Sequence, residues 1–229
     1  MLSTDEIKKK AAVYAVDFIK NKMIVGLGTG STVYWVIEEV GKRIRAGLDI
    51  AIVPTSKKTQ MLATELNMPI IDLNSIDKIS LTVDGADEAD PQLHLIKGGG
   101  GALLQEKIVA AASEQFIVVV DNSKLVQQLG KFPLPVEVIP FGYKQVLQKI
   151  LARGCEDVVL RKRNDQPFIT DHGHYILDCF FEKINDPLFL NKSLHSIPGV
   201  VETGLFINMV NKLIVAFPDG RIETHEKHL

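Results

Sequence analysis

The chain has 229 residues, 46% of them hydrophobic, so it can bury a sizeable core in one large domain or in a domain with a smaller companion. Its 26 basic and 28 acidic residues leave a net charge of -2. This balance excludes the strong positive field of a protein that binds nucleic acid or an anionic membrane surface. We therefore expect neither partner, and any anion must be held by a local group of residues.

Three features of the sequence favour a cytoplasmic protein. No apolar run approaches the roughly 20 residues of a membrane-spanning helix. The first ten residues, MLSTDEIKKK, are polar where a signal peptide would be apolar. The two cysteines, Cys155 and Cys179, lie far apart in no metal-ligand spacing, so we expect two reduced thiols.

Strands and helices alternate in the first part of the chain. Ser3 and Glu6 stand in capping-box spacing and open a helix whose core face carries Ile7, Ala11, Tyr14, Ala15 and Phe18. Strands are predicted at 23–27, 50–53, 79–83 and 116–120, with helices over 33–44, 57–66 and 102–115 between them. This alternation predicts an α/β fold with a Rossmann-like parallel sheet flanked by helices, and ligands beyond the carboxyl ends of its strands.

The pattern changes after Gly130 and predicts a second, smaller α+β domain of the split βαβ, ferredoxin-like type. Its predicted elements are a strand over 132–140, a helix over 143–152, strands at 158–160, 168–170 and 175–180, a helix after Pro187 and a strand at 200–207. A final hairpin, 213–217 and 221–225, is expected to return to the first domain. The predicted domains are therefore 1–130 with 208–229, and 131–207.

A glycine-rich turn, Gly26 to Thr32, follows the first strand and opens a helix, where backbone N–H groups and the helix dipole favour a phosphate. Ser31 stands where a dinucleotide fingerprint needs glycine and where a Walker loop needs lysine, so NAD and ATP are disfavoured. No cofactor is expected. The alternative is a tight turn with no ligand.

Three carboxylates, Asp84, Asp87 and Glu88, cluster where the strand at 79–83 ends. Charges at the carboxyl end of a buried strand suggest a site. The alternatives are a solvated acidic loop and a magnesium site. No matching set of ligands is near in sequence, so we expect no metal.

Four successive glycines, Gly98 to Gly101, follow Lys97 and lead into a helix. Such a run loses much conformational entropy on folding, so it needs a reason. Close approach of a ligand to the backbone is such a reason. Leu104, Ile108 and Ala111 are predicted to form the apolar stripe of this helix, which turns Glu106 away from the core. The alternative for Glu106 is a surface residue in the first helical turn, stabilised by the helix dipole.

Asp121 and Lys124 follow the apolar strand at 116–120. Lys124 is placed to reach an anion at the active edge of the sheet. The alternative is a helix N-cap followed by an exposed lysine.

These motifs together resemble the ribose-5-phosphate isomerases of the A type. The resemblance rests on GTGST (28–32), PTS (54–56), VDGADE (83–88), IKGGG (96–100), EK (106–107), SK (123–124) and GKFPLPVEV (130–138), in the order of the family. It extends through IPGV (197–200) and GLF (204–206) to PDG (218–220) and so covers nearly the whole chain. Gly101 departs from the family, which often has alanine there.

The resemblance implies an aldose–ketose isomerase that interconverts ribose 5-phosphate and ribulose 5-phosphate through an enediolate, in the non-oxidative pentose phosphate pathway. It implies Glu106 as the base, whose pKa partial desolvation would raise towards neutral pH. It also implies no metal and no cofactor. Homodimers or dimers of dimers are expected. The implied roles divide into sugar-site residues, Asp84, Asp87 and Lys97; phosphate ligands, Thr29, Ser31, Thr32, Lys8 and Lys124; and adjoining substrate-binding residues, Gly30, Gly85, Ala86, Gly98, Gly99 and Gly100.

Two rival functions remain open from the sequence. One is another phosphosugar isomerase or an aminosugar-phosphate deaminase of similar architecture. The other is a non-catalytic sugar-phosphate sensor, which would need an effector or DNA-binding segment, and no helix-turn-helix fits beside the two domains.

Overall fold

A computed structural model describes residues 2–226 of the chain. The α-helices are α1 (Thr4–Val16), α2 (Ser31–Arg45), α3 (Lys57–Glu65), α4 (Leu103–Ala111), α5 (Tyr143–Leu151) and α6 (Pro187–His195). None of the helices in this part of the chain is long and apolar enough to cross a bilayer. The strands are β1 (Ile24–Leu27), β2 (Ala51–Pro54), β3 (Leu81–Asp84), β4 (Glu88–Ala89), β5 (Leu95–Ile96), β6 (Phe116–Asp121), β7 (Leu134–Val138), β8 (Asp157–Leu160), β9 (Lys162–Arg163), β10 (Gln166–Pro167), β11 (Tyr175–Phe180), β12 (Val200–Thr203), β13 (Leu205–Phe206), β14 (Lys212–Ala216) and β15 (Ile222–Glu226).

The chain forms two compact units. The first runs up to Ala86 and includes Gln105–Lys124 and the residues from Met209 onward; the second comprises Asp87–Leu104 and Leu125–Asn208. These packing units differ from the predicted domains, 1–130 with 208–229 and 131–207, whose limits stay a prediction. Residues 1 and 227–229 of those domains lie outside the described part of the chain.

The first unit contains a six-stranded sheet in the order β15-β14-β6-β3-β1-β2. Its neighbours pair in parallel except for the antiparallel hairpin of β14 and β15. The α/β class with a parallel sheet is thus confirmed, and so is the return of the last hairpin to this sheet. Each parallel strand ends at the same edge, which is where such sheets bind ligands.

Helices cover both faces of this sheet because its strands alternate their buried side chains between the faces. Val25 and Leu27 of β1 pack in one core with α1 and α2. Val109 of α4 packs with Val53 and Ile79 in a second core. The predicted capping box of Ser3 and Glu6 is confirmed at the start of α1, although Tyr14, predicted to face the core, is exposed.

The second unit contains a four-stranded antiparallel sheet in the order β12-β7-β11-β8. Helix α5 connects β7 to β8, and α6 connects β11 to β12. This βαββαβ order is the split βαβ, ferredoxin-like arrangement that the sequence predicts. The unit also has a small sheet in the order β13-β5-β4.

Two strand predictions in the second unit were wrong in detail. The predicted strand at 168–170 is absent, because Asn164 and Asp165 adopt positive φ and close a hairpin two residues earlier, between β9 and β10. The predicted strand at 200–207 is divided at Gly204, whose N–H donates to Pro135 O (2.7 Å). A Cβ at Gly204 would lie 2.8 Å from Pro135 Cδ, so glycine permits the chain to leave one sheet and join the other.

Candidate active site

The turn after β1 approaches the end of β3 very closely. Gly28 N donates to Val83 O (2.9 Å), and Thr29 N donates to Asp84 Oδ1 (3.1 Å). A Cβ at Gly28 would lie 2.7 Å from Asp84 Cβ and closer still to its carboxylate. Glycine is therefore required at this position by the neighbouring strand, and the turn is held by an acidic side chain.

Asp84 is fully buried at the last position of β3. Besides the Thr29 N–H, its Oδ1 accepts the Gly85 N–H (2.7 Å). Two backbone donors on one oxygen fix the orientation of the carboxylate. Asp84 is thus not part of a solvated acidic loop, which was one of the alternatives for this cluster.

A group of four hydroxyls lies beside the same turn. Thr29 Oγ1 is 2.9 Å from Thr55 Oγ1, 2.7 Å from Ser56 Oγ and 3.1 Å from Thr59 Oγ1. Thr59 Oγ1 also donates to Gly28 O (2.7 Å). Thr55, Ser56 and Thr59 are buried, and they follow β2, the neighbour of β1. Sequence reasoning missed Thr59, although its spacing from the helix-capping Ser56 was a visible signal.

Helix α2 begins at Ser31, directly after Gly30. The φ of Gly30 is 127°, a conformation that glycine adopts more readily than other residues. Its first N–H groups, with Ser31 and Thr32, are therefore at the kind of helix N-terminus that favours an anion, and the anion site itself stays a prediction. A cavity of about 350 Å³ adjoins them, with Thr29, Gly30, Ser31 and Lys58 in its wall. Lys58 is a cation that sequence reasoning did not single out.

Of three adjacent lysines in α1, Lys8 is the one directed to this turn. Its Nζ donates to Ser31 Oγ (3.0 Å). Lys9 instead lies over the Trp35 ring, 5.6 Å from its centroid, and Lys10 bonds to Gly220 O. Of the three lysines, Lys8 is therefore the one that lies at the start of α2.

Lys124 follows β6 in a short 3-10 turn, and Asp121 Oδ1 accepts the Ser123 N–H (3.0 Å) within that turn. Because β1, β3 and β6 are neighbours in the sheet, Thr29, Asp84 and Lys124 lie at or just beyond the ends of three strands that end at one edge. The structure therefore brings these three predicted site residues to the same side of the first unit.

Glu106 lies in α4 and is only 3% exposed. The prediction that Leu104, Ile108 and Ala111 form the apolar stripe was wrong, because Ile108 is 46% exposed and the buried residues are Leu103, Val109 and Ala110. Glu106 shares their face, at three- and four-residue spacing. The alternative of a surface glutamate is wrong as well. A bond from Gln105 Nε2 to Pro54 O (3.0 Å) places this turn at the end of β2.

Gly85 and Ala86 end the first segment of the first unit, whereas Asp87, Lys97 and the glycine run belong to the second unit, where Asp87 contacts the run. Asp87 N donates to Ile96 O (2.9 Å), and Asp87 Oδ2 accepts the Gly99 N–H (2.7 Å). A Cβ at Gly99 would lie 2.7 Å from Asp87 Oδ1. Close approach to this carboxylate explains the glycine, and Gly98 has a φ of 103°. Gly100 continues the same turn on the exposed side.

Lys97 is buried at 2% exposure, with its Nζ 5.3 Å from the centroid of the Phe206 ring. Its N–H donates to Gly204 O (2.9 Å). A buried lysine in a fixed position can act on a polar ligand as a localised positive charge. Glu88, the third member of the acidic cluster, has a structural use: it accepts the N–H groups of Gly130 (2.8 Å) and Phe132 (2.6 Å).

Within residues 2–226, no group of three or more histidine, cysteine, aspartate or glutamate side chains is arranged to hold a metal ion.

Comparison with known proteins identifies the relatives of the chain. The model of the family described as ribose 5-phosphate isomerase A (phosphoriboisomerase A) matches residues 51–220. The chain is 55% identical to ribose-5-phosphate isomerase A of Bacillus cereus over 215 residues, which are 93% of this chain and 97% of that protein.

Solved structures agree with this match. The ribose 5-phosphate isomerase from Plasmodium falciparum superposes with a TM-score of 0.96 at 39% identity, covering 99% of this chain and all of that one (100%). A D-ribose-5-phosphate isomerase in complex with phospho-erythronic acid superposes with a TM-score of 0.95 at 42% identity, covering 98% of this chain and 100% of that one.

Proposed function

Because the chain belongs to the ribose 5-phosphate isomerase A family, aldose–ketose isomerases that interconvert ribose 5-phosphate and ribulose 5-phosphate, we propose that Glu106 is its catalytic base. The reaction takes a proton from the carbon next to a carbonyl and returns it to the neighbouring carbon. One carboxylate on one side of the substrate serves both steps, through an enediolate. The burial of Glu106 is the observation that carries this proposal.

Lys97 is proposed to stabilise the oxyanion that develops as the proton leaves. A charge held at 2% exposure needs little rearrangement during the reaction, and a positioned donor of this kind contributes about 10²–10³ in rate in other enzymes. Backbone N–H groups of Gly98 and Gly100 are proposed to bind sugar oxygens in the same role, and Gly99 is proposed to adjoin the sugar while its N–H holds Asp87.

Asp84 and Asp87 are proposed to move protons on the sugar oxygens and to assist ring opening. Each carboxylate is oriented by backbone N–H groups, Asp84 by Thr29 and Gly85, and Asp87 by Gly99. An oriented carboxylate can accept a hydroxyl proton without losing its place. Gly85 and Ala86, which follow Asp84 directly, are proposed to contact the sugar through their backbone.

The phosphate is proposed to bind at the start of α2, to Thr29, Gly30, Ser31 and Thr32. Lys8, held at Ser31, and Lys124, at the end of β6, supply positive charge. A phosphorylated sugar is supported as ligand by the family, and the relative in complex with phospho-erythronic acid supports a phosphorylated sugar acid as a second ligand of this chain.

Two proposals concern the whole protein. A cytoplasmic location is supported by Cys155 and Cys179, both of which are free thiols. Burial raises the pKa of the Cys179 thiol, which keeps it protonated and slow to oxidise. Assembly as a homodimer or a dimer of dimers follows the resemblance to the family.

The experiment that tests the function is conversion of ribose 5-phosphate to ribulose 5-phosphate by the purified chain in excess EDTA. We expect full activity, because Glu106 and Lys97 supply both the base and the electrophile. Loss of activity that magnesium or zinc restores would contradict the metal-free mechanism. A panel of other phosphosugars in the same assay measures substrate preference.

A further inference from the structure

The side chain of Arg161 binds backbone carbonyl groups of the glycine run in the second unit. It stands directly after β8, and its Nη1 donates to Gly98 O (2.8 Å) and to Gly99 O (3.2 Å). The side chain is 14% exposed. Gly98 O also accepts the Gly101 N–H (3.0 Å), whereas Gly99 O is held by Arg161.

Asp178 fixes the guanidinium in turn. Arg161 Nε donates to Asp178 Oδ2 (2.9 Å), and Nη2 bonds to Asp178 Oδ1, so the pair is bidentate. Asp178 lies in β11, which pairs with β8, and Arg161 N donates to Ile176 O (2.9 Å) on the same strand. A planar guanidinium held along the Nε–Nη2 edge by a carboxylate presents the N–H groups of Nη1 in a fixed direction.

The two accepted carbonyls determine where the N–H groups of the run point. Gly98 C=O and the Gly99 N–H belong to one planar trans peptide, so they point in opposite directions. When Arg161 holds Gly98 O, the Gly99 N–H is turned toward Asp87 Oδ2, 2.7 Å away. By the same geometry, holding Gly99 O fixes the direction of the Gly100 N–H. Glycines lack side chains that could set these peptides themselves.

We propose that Arg161, locked by Asp178, is a positioning residue that orients the Gly98–Gly100 peptides and, through Gly99, the carboxylate of Asp87. This inference rests on the proposed role of Asp87 and of the glycine run. Arg161 itself touches no substrate. Its loss misplaces groups that act in the chemical step and spares the proposed phosphate ligands, which belong to the first unit.

The test compares Arg161→Ala, Arg161→Lys and Asp178→Asn with the matched control Arg153→Ala. Arg153 is in the same unit and also bonds through its guanidinium, from Nε to Ser193 Oγ (2.7 Å), but does not contact the glycine run. A misplacement of about 1 Å costs roughly 10²-fold in rate. We expect Arg161→Ala to lower kcat about 100-fold with KM for ribose 5-phosphate within about threefold, and Arg153→Ala to leave both unchanged.

Further readouts separate positioning from mere stabilisation. Lysine cannot reproduce the bidentate pair, so Arg161→Lys should stay at least about tenfold below wild type, and Asp178→Asn should show a smaller loss of kcat. Added guanidinium, at concentrations that do not unfold the protein, should restore part of the activity of Arg161→Ala and none to Arg153→Ala. Should Arg161→Ala fail to fold, Arg161→Lys and Asp178→Asn carry the same comparison.

The inference is overturned if folded Arg161 variants keep wild-type kcat and lose only thermal stability, or if KM rises while kcat is unchanged. Glu106→Gln is assayed in parallel. An active wild type with an inactive Glu106→Gln and normal Arg161 variants removes the positioning role alone. An inactive wild type, or an active Glu106→Gln, removes the proposed function instead.

Discussion

Substitution of Gly28 by alanine tests the close approach of β1 to β3. The added methyl would lie 2.7 Å from Asp84 Cβ and closer to the carboxylate, a separation that real Cβ atoms do not show. Asp84 is fully buried and held by the Thr29 and Gly85 N–H groups, so it cannot turn aside into solvent. Either the turn or the carboxylate must move.

The size of the effect follows from these contacts. Overpacking a well-packed site costs about 1–3 kcal/mol. Weakening the bond from Thr29 N to a carboxylate adds about 1.5–3 kcal/mol. We therefore expect Gly28→Ala to lower the free energy of unfolding by about 2.5–6 kcal/mol. If Asp84 moves by about 1 Å, kcat should also fall about 100-fold.

Urea denaturation and steady-state kinetics measure the two effects. Gly85→Ala is the control for stability, because a Cβ there would meet Val119 O at 3.7 Å and Val33 Cγ2 at 3.8 Å, which are ordinary contacts. Its unfolding free energy should stay within about 1 kcal/mol of wild type. A Gly28→Ala protein as stable and as active as wild type would refute the close packing of this turn on Asp84.

Two further substitutions are expected to change different quantities, the KM in one case and the free energy of unfolding in the other. Lys124→Ala should mainly raise KM for ribose 5-phosphate with little change in kcat, because a phosphate ligand binds ground and transition states alike; a collapse of kcat at fixed KM would place Lys124 in the chemical step. Gly101→Ala should lower the free energy of unfolding by about 1–3 kcal/mol, since Gly101 has a φ of 83° and a Cβ there would lie 2.5 Å from the Phe168 ring. Urea denaturation should show a smaller loss in a Phe168→Ala background, and equal losses in both backgrounds would contradict the clash.

Much of the fold follows from local patterns in the sequence. Alternating apolar strands and amphipathic helices predict the parallel sheet, and the limits 175–180 of β11 were predicted correctly. The capping box of Ser3 and Glu6 needs only residues three apart, and the glycine turn before α2 needs only its own neighbours. Such features are visible because their physical causes lie within one or two turns of the chain.

Helix α4 shows where periodicity fails. Its nine residues offer two apolar stripes, one with Leu104 and Ile108 and one with Leu103 and Val109, and spacing alone cannot choose between them. The structure buries the second stripe together with Glu106. A buried carboxylate contradicts hydrophobic patterning, and such contradictions are expected at functional sites.

The other features that could not be predicted from the sequence are contacts between residues far apart in the chain. Arg161 meets Gly98 across 63 positions, and Thr59 meets Gly28 across 31. Arg161 has no local signature, because its partner is determined by strand pairing, and the only local signal of Thr59 is its three-residue spacing from the capping Ser56. The motifs of the family nevertheless identified the loops that these residues support.

The most direct test of the central claim is Glu106→Gln assayed in D₂O. The substitution keeps the shape of a buried side chain and removes the base. We expect kcat to fall by roughly 10²–10⁴ at unchanged thermal stability. Wild-type enzyme should introduce deuterium at the reacting carbon of the product, because one base shared by two carbons exchanges some of its proton with solvent, and the variant should lose this label. Turnover near the wild-type rate, or an undiminished label, would contradict the account and make Asp84 the next candidate for the base.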